Sequence, residues 1–296
     1  MDPELLYLNG VVLPISEGHI AVEDRGFQLG DGVYEVVRVI NGRALWLDEH
    51  LERLEHSLAA IRLAGAAAGH RLAEVVPELV KRSGVVSGSV YLQVTRGAWP
   101  RDFEIPESVE PTVLAYARSA LGPTDEAVLS GTVVHPVEDQ RWAYCHIKAI
   151  DLLAAVLAKD EARRAGASEA LFVGPEGTVR EGGSSNFFAF LDGTLRTHPA
   201  DNHILNGVTR RQVLELAVEA GYSVEEKAFT LRDVASGAHA CEVFLTSTLR
   251  DIFPVVRVGR HVVGDSRPGR LTLALLDRFR ARQAELAGLQ PPVALS

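Results

Sequence analysis

Asp24-Arg-Gly-Phe-Gln-Leu-Gly-Asp-Gly-Val-Tyr-Glu-Val-Val37 leads into the segment that organises the first third of the chain. From Gly32 to Ile40 valines recur, and Asn41-Gly42 follows at once. A β-branched run closed by Asn-Gly predicts a strand and a tight hairpin turn. Tyr34 there reads as an ordinary strand aromatic among Val33, Val36 and Val37. On the N-terminal side, Tyr7 to Leu13 predicts a hairpin around Asn9-Gly10. On the C-terminal side, Leu51, Leu54, Leu58 and Ile61 recur at helical spacing from about Leu47, with Arg53 beside the stripe. A second helix is expected over Leu72 to Lys81. Strands are expected at Ser89 to Thr95 and Thr112 to Ala117, separated by a proline-bearing loop, Gly97 to Pro111. Arg118-Ser-Ala-Leu-Gly-Pro-Thr124 reads as a linker, because Gly122-Pro123 ends any regular element.

Beyond the linker, strands and helices mix. Arg141 to Ile147 reads as a half-buried strand that turns at Lys148 into a helix from Leu152 to Ala165, capped by Asp151 and stopped at Gly166. Glu169 to Val173 and Thr178 to Glu181 flank a turn at Pro175-Glu-Gly177. Asn186 to Phe190 is expected to pair with Thr194 to Thr197 across Asp192-Gly193. Val208 to Ala220 reads as a helix ending at Gly221, and a strand from Glu242 to Leu245 runs into Thr246-Ser-Thr248. His50 and His56 read as helix-surface residues, His135-Pro136 as a strand edge and Gln290 to Ser296 as a frayed end. Two domains are expected: residues 1–117, small and α/β, and residues 125–296, larger and carrying Lys148, joined by 118–124.

Composition limits the function classes. With 296 residues, 47% of them hydrophobic, the chain can bury a full core. Its net charge of −9 argues against a nucleic-acid or anionic-membrane partner. No apolar run reaches membrane-spanning length, and Met1-Asp-Pro-Glu4 lacks the basic and apolar regions of a signal peptide. Cys145 and Cys241 show no metal-type spacing and read as small apolar residues of a reducing cytoplasm. The expectation is a soluble cytoplasmic protein with no metal site.

Several residues can carry chemistry. A lysine at a junction beside apolar neighbours can act as nucleophile or base, which singles out Lys148. Glu181, at a strand end before Gly182-Gly-Ser-Ser-Asn186, can accept a hydrogen bond from a ring nitrogen. The amides of Val208 and Thr209 at a helix start, the hydroxyls of Thr246-Ser-Thr248 and the guanidinium of Arg53 all suit a phosphate. Arg101, on a loop, and Tyr34 can hold a carboxylate.

In their order, Asp24 to Val37, Val94-Thr-Arg-Gly97, Ile147-Lys148, Glu181-Gly-Gly-Ser-Ser-Asn186 and Asn206-Gly-Val-Thr209 resemble the fold-type IV pyridoxal-phosphate enzymes. Within that family the likeness is greatest to the D-amino-acid aminotransferases, from about Tyr7 to beyond Pro254. The resemblance implies a mixed α/β or α+β architecture, with a small N-terminal α/β domain, a larger β-rich C-terminal domain and pyridoxal 5′-phosphate in the interdomain cleft. It also implies a homodimer whose partner chain helps shape the substrate pocket. Lys148 matches the lysine of the internal aldimine, and Glu181 the acid facing the pyridine nitrogen. Arg53, Val208, Thr209 and Thr248 match phosphate contacts, with Ser184 and Ser247 nearby, and Tyr34 and Arg101 match holders of the substrate carboxylate. An ionised Glu181 would then keep the ring nitrogen protonated.

The implied reaction is ping-pong transfer of an amino group from a D-amino acid such as D-alanine to a 2-oxo acid such as 2-oxoglutarate. Two departures bear on substrate. The loop reads Arg101-Asp102-Phe103, with phenylalanine where many relatives have a carboxylate-holding histidine. Arg250 is a candidate substitute. Tyr91-Leu-Gln93 lacks the Tyr-x-Arg pair of many branched-chain L-amino-acid aminotransferases. The remaining alternatives of the same fold are that enzyme class, an (R)-amine transaminase and 4-amino-4-deoxychorismate lyase.

Overall fold

The computed structural model describes residues 4–236 and 241–296, and the opening Met1-Asp-Pro3 lies outside them. Two compact units emerge. The first comprises the described residues up to Leu121 together with Ile147–Asp151 and Leu286–Leu289; the second holds the described residues of Gly122–His146, Leu152–Glu285 and Gln290–Ser296. Lys148 therefore packs with the first unit, although it follows the linker in sequence.

The first unit is built on β1 (Leu5–Leu8), β2 (Val11–Pro14), α1 (Arg25–Leu29), β3 (Gly32–Ile40), β4 (Arg43–Ala44), α2 (Leu47–Ala60), α3 (Leu72–Arg82), β5 (Ser87–Thr95) and β6 (Thr112–Ser119). Its six-stranded sheet runs β2-β1-β6-β5-β3-β4. Both hairpins occur where Asn-Gly predicts them, and Asn9, Gly10, Asn41 and Gly42 all take positive φ, the condition of a type I′ turn. Alternation on β3 buries Val33, Val37 and Val39 against Leu54 and Leu58 of α2 and Val76, Leu79 and Val80 of α3. The expected linker is shorter than its composition suggests. Strand β6 continues to Ser119, because Gly88 and Ser89 of β5 pair with Ser119 and Arg118.

The second unit contains α4 (Asp125–Ser130), β7 (Thr132–Glu138), α5 (Leu153–Arg164), β8 (Glu169–Val173), β9 (Val179–Gly182), β10 (Asn186–Leu191), β11 (Thr194–Thr197), α6 (Val208–Glu219), β12 (Ser223–Glu226), α7 (Leu231–Ser236), β13 (Glu242–Ser247), β14 (Asp251–Val258), β15 (His261–Val262) and α8 (Arg270–Ala287), whose last turn groups with the first unit. Strand order is β12-β11-β10-β13-β14-β7-β8-β9, with β15 on β14, and β9 pairs back onto β10. The six strands from β10 round to β9 thus form a closed ring, sealed by the pair Asn186↔Glu181. Its core gathers Phe187, Ala189, Leu171, Val243, Leu245 and Val255.

Four local expectations need correction. Arg141 to Ile147 is irregular, not a strand. The Arg141 amide donates to Asp139 Oδ1 at 3.1 Å, an Asx turn that ends β7, and Cys145 N donates to Asn202 O instead of a ladder partner. Asp151 does not cap α5: Leu152 holds that position without a side-chain bond, while Asp151 packs against Gly30. His135-Pro136 lies on an interior strand. Pairing of β14 with β7 stops at Val134, so Pro136 owes no hydrogen bond on that side. The C-terminal end is tied down, with Leu295 N and Ser296 N each donating to Asp277 at 2.9 Å.

Candidate functional site

In the first unit the chemistry gathers on one edge of β3. Ile147–Asp151 lies along that edge where β4 does not reach: Tyr34 N donates to Lys148 O, Ile150 N donates to Gly32 O, and Val33 bridges Ala149 antiparallel. That register sets Lys148 opposite Tyr34 on the same face. Lys148 Nζ accordingly lies 4.1 Å from the Tyr34 ring centroid. The Lys148 amide donates to Ser57 Oγ at 3.2 Å.

Ser57 belongs to a polar edge of α2. His50, Arg53 and Ser57, three and four residues apart, share one side of the helix and are all buried. Opposite them Glu35, fully buried on β3, accepts from Arg53 Nε at 2.7 Å, from Arg53 Nη2 at 2.8 Å and from His50 Nδ1 at 2.7 Å. Burial alone would raise the Glu35 carboxyl. The charge and fork of Arg53 and the His50 bond outweigh it, and the group falls to about 2. Burial lowers His50 against the upward pull of the Glu35 carboxylate. His50 is thus a core residue, contrary to the surface position read from sequence, and Glu35 was not singled out at all. The available signal was an acid at an alternating apolar position of a strand.

In the second unit the chemistry gathers where the ring of strands closes. Glu181, one residue before the end of β9, is 5% exposed and accepts from Arg141 Nη1 at 2.6 Å, Asn186 Nδ2 at 3.0 Å and Leu205 N at 3.1 Å. Burial pushes its carboxyl up; Arg141 and the Leu205 amide pull it back, and the balance is about 7. Asn186 also donates to Leu205 O at 2.7 Å. A Cβ at Gly207 would run into Asn186 Oδ1, so only glycine lets the start of α6 come this close. Val208 and Thr209 open that helix, buried, with first-turn amides that have no intrahelical acceptor.

Asn186 is also paired across the sheet with Thr246, whose buried Oγ1 has no partner, and the half-buried Ser247 and Thr248 follow directly. A helix start brought in by a glycine, beside an orphaned buried hydroxyl, fits a phosphate. A buried acid held by three donors fits the charged side of a nitrogen heterocycle.

Other expected site residues make contacts of their own. Ser184 Oγ donates to Glu169 at 2.9 Å and accepts from Lys159 Nζ at 2.8 Å. Arg101 and Phe103 are exposed on their loop, with the guanidinium carbon 5.7 Å from the ring. Arg250 is half-buried over Phe253 at 4.4 Å. Arg53, read from sequence as a fork onto phosphate oxygens, directs Nε and Nη2 to Glu35.

The family model for amino-transferase class IV matches residues 32–258, a span that includes Glu35, Arg53, Lys148, Glu181 and the start of α6. The chain belongs to the class IV aminotransferases. Its sequence is 37% identical over 275 residues to a D-alanine aminotransferase of Staphylococcus haemolyticus, covering 93% of this chain and 96% of the other. A D-alanine aminotransferase of Bacillus licheniformis is 39% identical over 264 residues, covering 89% and 92%. Among solved structures, the branched-chain amino acid aminotransferase of Escherichia coli superposes with a TM-score of 0.86 over 98% of this chain and 96% of that one. At 23% identity this is a likeness of fold. A second branched-chain amino acid aminotransferase, from T.th. and solved with pyridoxamine 5′-phosphate, gives 0.84 at 25% identity, covering 98% and 96%. This class IV aminotransferase has the fold-type IV architecture and uses pyridoxal 5′-phosphate.

Proposed function

We propose that this class IV aminotransferase moves the amino group of a D-amino acid, such as D-alanine, to a 2-oxo acid, such as 2-oxoglutarate, in ping-pong order. The observation that carries the donor class is the near full-length likeness to D-alanine aminotransferases. In this reading Lys148 and the cluster around Glu181 serve one cofactor. Lys148 would hold it through Nζ and Glu181 would face its ring nitrogen. Arg53, the Val208 and Thr209 amides, Ser247 and Thr248 would hold its phosphate. When bound, the group supplies an electron sink for the carbanion left at the substrate Cα.

The chain's own residues do the rest. Tyr34 beneath Nζ and Ser57 on the backbone amide orient Lys148, which takes the proton from the substrate Cα and later returns one. Arg101 and Tyr34 hold the substrate carboxylate, with Arg250 as a further cation and Phe103 supplying apolar surface where relatives place histidine. Buried free Cys145 and Cys241 suit a reducing cytoplasm. Among the described residues no helix is long and apolar enough to cross a membrane. The assembly is read as a homodimer. Its support is surface that a lone chain leaves wet: Phe27 and Phe103 in the first unit, and Leu153, Val156 and Leu157 on α5 in the second.

The test is a single half-reaction. Protein loaded with cofactor and given D-alanine without any acceptor should release pyruvate in amount equal to its active sites, then stop. Lys148→Ala should release none and should lose the borohydride-trappable attachment of cofactor. Repeated turnover without acceptor, or oxo product from L-leucine alone, would sink the assignment.

A further inference from the structure

We infer that Arg141 holds down the proton affinity of Glu181 and thereby decides whether the ring nitrogen facing that carboxylate carries a proton. The inference rests on the proposed function, in which Glu181 faces that nitrogen. Arg141 was not singled out from sequence, and its geometry exceeds what a structural ion pair requires. Nη1 lies 2.6 Å from Glu181 Oε1, while Nε and Nη2 both bind Asp139 at 2.9 Å. Nη2 also donates to His203 O at 3.1 Å, and the guanidinium carbon sits 4.0 Å from the centre of the Phe172 ring. Four contacts fix one planar cation against one carboxylate oxygen.

Asp139 would neutralise Arg141 if it had no other partner. It has one: Arg180 Nη1 at 2.7 Å. The result is a chain of alternating charge, Arg180, Asp139, Arg141, Glu181, whose end is the carboxylate. Among the described residues, the other hydrogen-bond partners of Glu181 are uncharged. Asn186 Nδ2 and Leu205 N are neutral donors. The Cys145 thiol is pushed up to about 11, chiefly by burial, and stays protonated. The His203 ring faces Asp201 at 3.2 Å. Burial works against the charged form of Glu181, and of the groups named only Arg141 opposes it with a full charge. Remove that charge and the proton belongs on the carboxyl, which then donates to the ring nitrogen instead of accepting from it.

The experiment compares Arg141→Met, Arg141→Gln, Arg141→Lys and Glu181→Gln in cofactor-loaded protein labelled with 13C at glutamate carboxyls. Glu181 is assigned as the resonance missing from Glu181→Gln, and its midpoint is read by NMR titration. Arg141→Met should raise that midpoint by about one pH unit or more, a roughly tenfold change in acidity. Arg141→Gln, should the methionine variant not fold, should do the same, and Arg141→Lys should recover most of the shift. The pH profile of kcat with D-alanine should move with the midpoint. An unchanged midpoint in a neutral variant that still binds cofactor overturns the inference, as does a lysine variant shifted as far as methionine. Full activity of Glu181→Gln would instead overturn the assignment of the carboxylate. The two failures are distinguishable, because the NMR midpoint reports Arg141's hold on Glu181 without turnover.

Discussion

Two buried glutamates of this chain are pulled in opposite directions. Glu35 falls to about 2 because Arg53 and His50 overcome its burial, whereas Glu181 rises to about 7 because Arg141 only partly does. Their effects on stability therefore have opposite signs. Glu35 is more acidic folded than its ordinary 4.5, so the stability it contributes is present above 4.5 and lost as pH falls from there through 2. Glu35→Gln should cost about 3 kcal/mol at neutral pH, since it leaves the Arg53 charge buried without its counterpart, and it should flatten the acid limb of the stability curve. Glu181 is less acidic folded, so its contribution is complete below 4.5 and disappears as pH rises through 7. Cofactor-free Glu181→Gln should therefore be more stable than the parent above pH 7. Urea melts across pH check both. A Glu181→Gln protein less stable than the parent at alkaline pH would mean the carboxylate is better compensated than its contacts indicate.

Elements position the groups of each unit. The α2 helix holds His50, Arg53 and Ser57 along one side, so a single rigid body positions both the counter-charge of Glu35 and the backbone of Lys148. On the other unit, the start of α6 and the end of β13 are both indexed to Asn186, one through the missing Cβ of Gly207 and one through strand register. Gly207→Ala should push Asn186 away from Glu181 and Leu205. One charge-assisted bond lost is about 2 kcal/mol, or a weakening of cofactor binding by roughly tenfold or more. A binding titration followed by cofactor absorbance measures it, and unchanged affinity would show that Asn186 can yield without consequence.

For the whole molecule, α5 displays Leu153, Val156 and Leu157 at 66, 59 and 62% exposure, all on one helical side. Three large aliphatic residues together on one face belong to a contact surface more often than to open solvent. If the proposed homodimer forms through this face, replacing Leu153 and Leu157 by glutamate should leave the fold intact and yield a monomer in light scattering. Aminotransfer should be lost in proportion if the partner helps shape the substrate pocket. A double variant that stays dimeric would place the dimer contact elsewhere.

Much was legible from local chemistry. Asn9-Gly10, Asn41-Gly42 and Asp192-Gly193 each mark a real hairpin, because a positive-φ turn is determined by the residues that make it. Helices α2, α3 and α6 follow from local spacing, and Lys148 and Glu181 stand out through the motifs around them. Long-range pairing was not legible. The ring of strands closes between Glu181 and Asn186, and β7 lies beside β14, far along the chain. No local signal specifies which distant strand edge a strand will choose. For the same reason Arg141 read as a strand residue and His50 as a surface one. Sequence by itself determined which groups could do the chemistry and where the chain turns. Only the tertiary structure decided their ionisation, since burial and the approach of a counter-charge are properties of packing that residues distant in sequence create together.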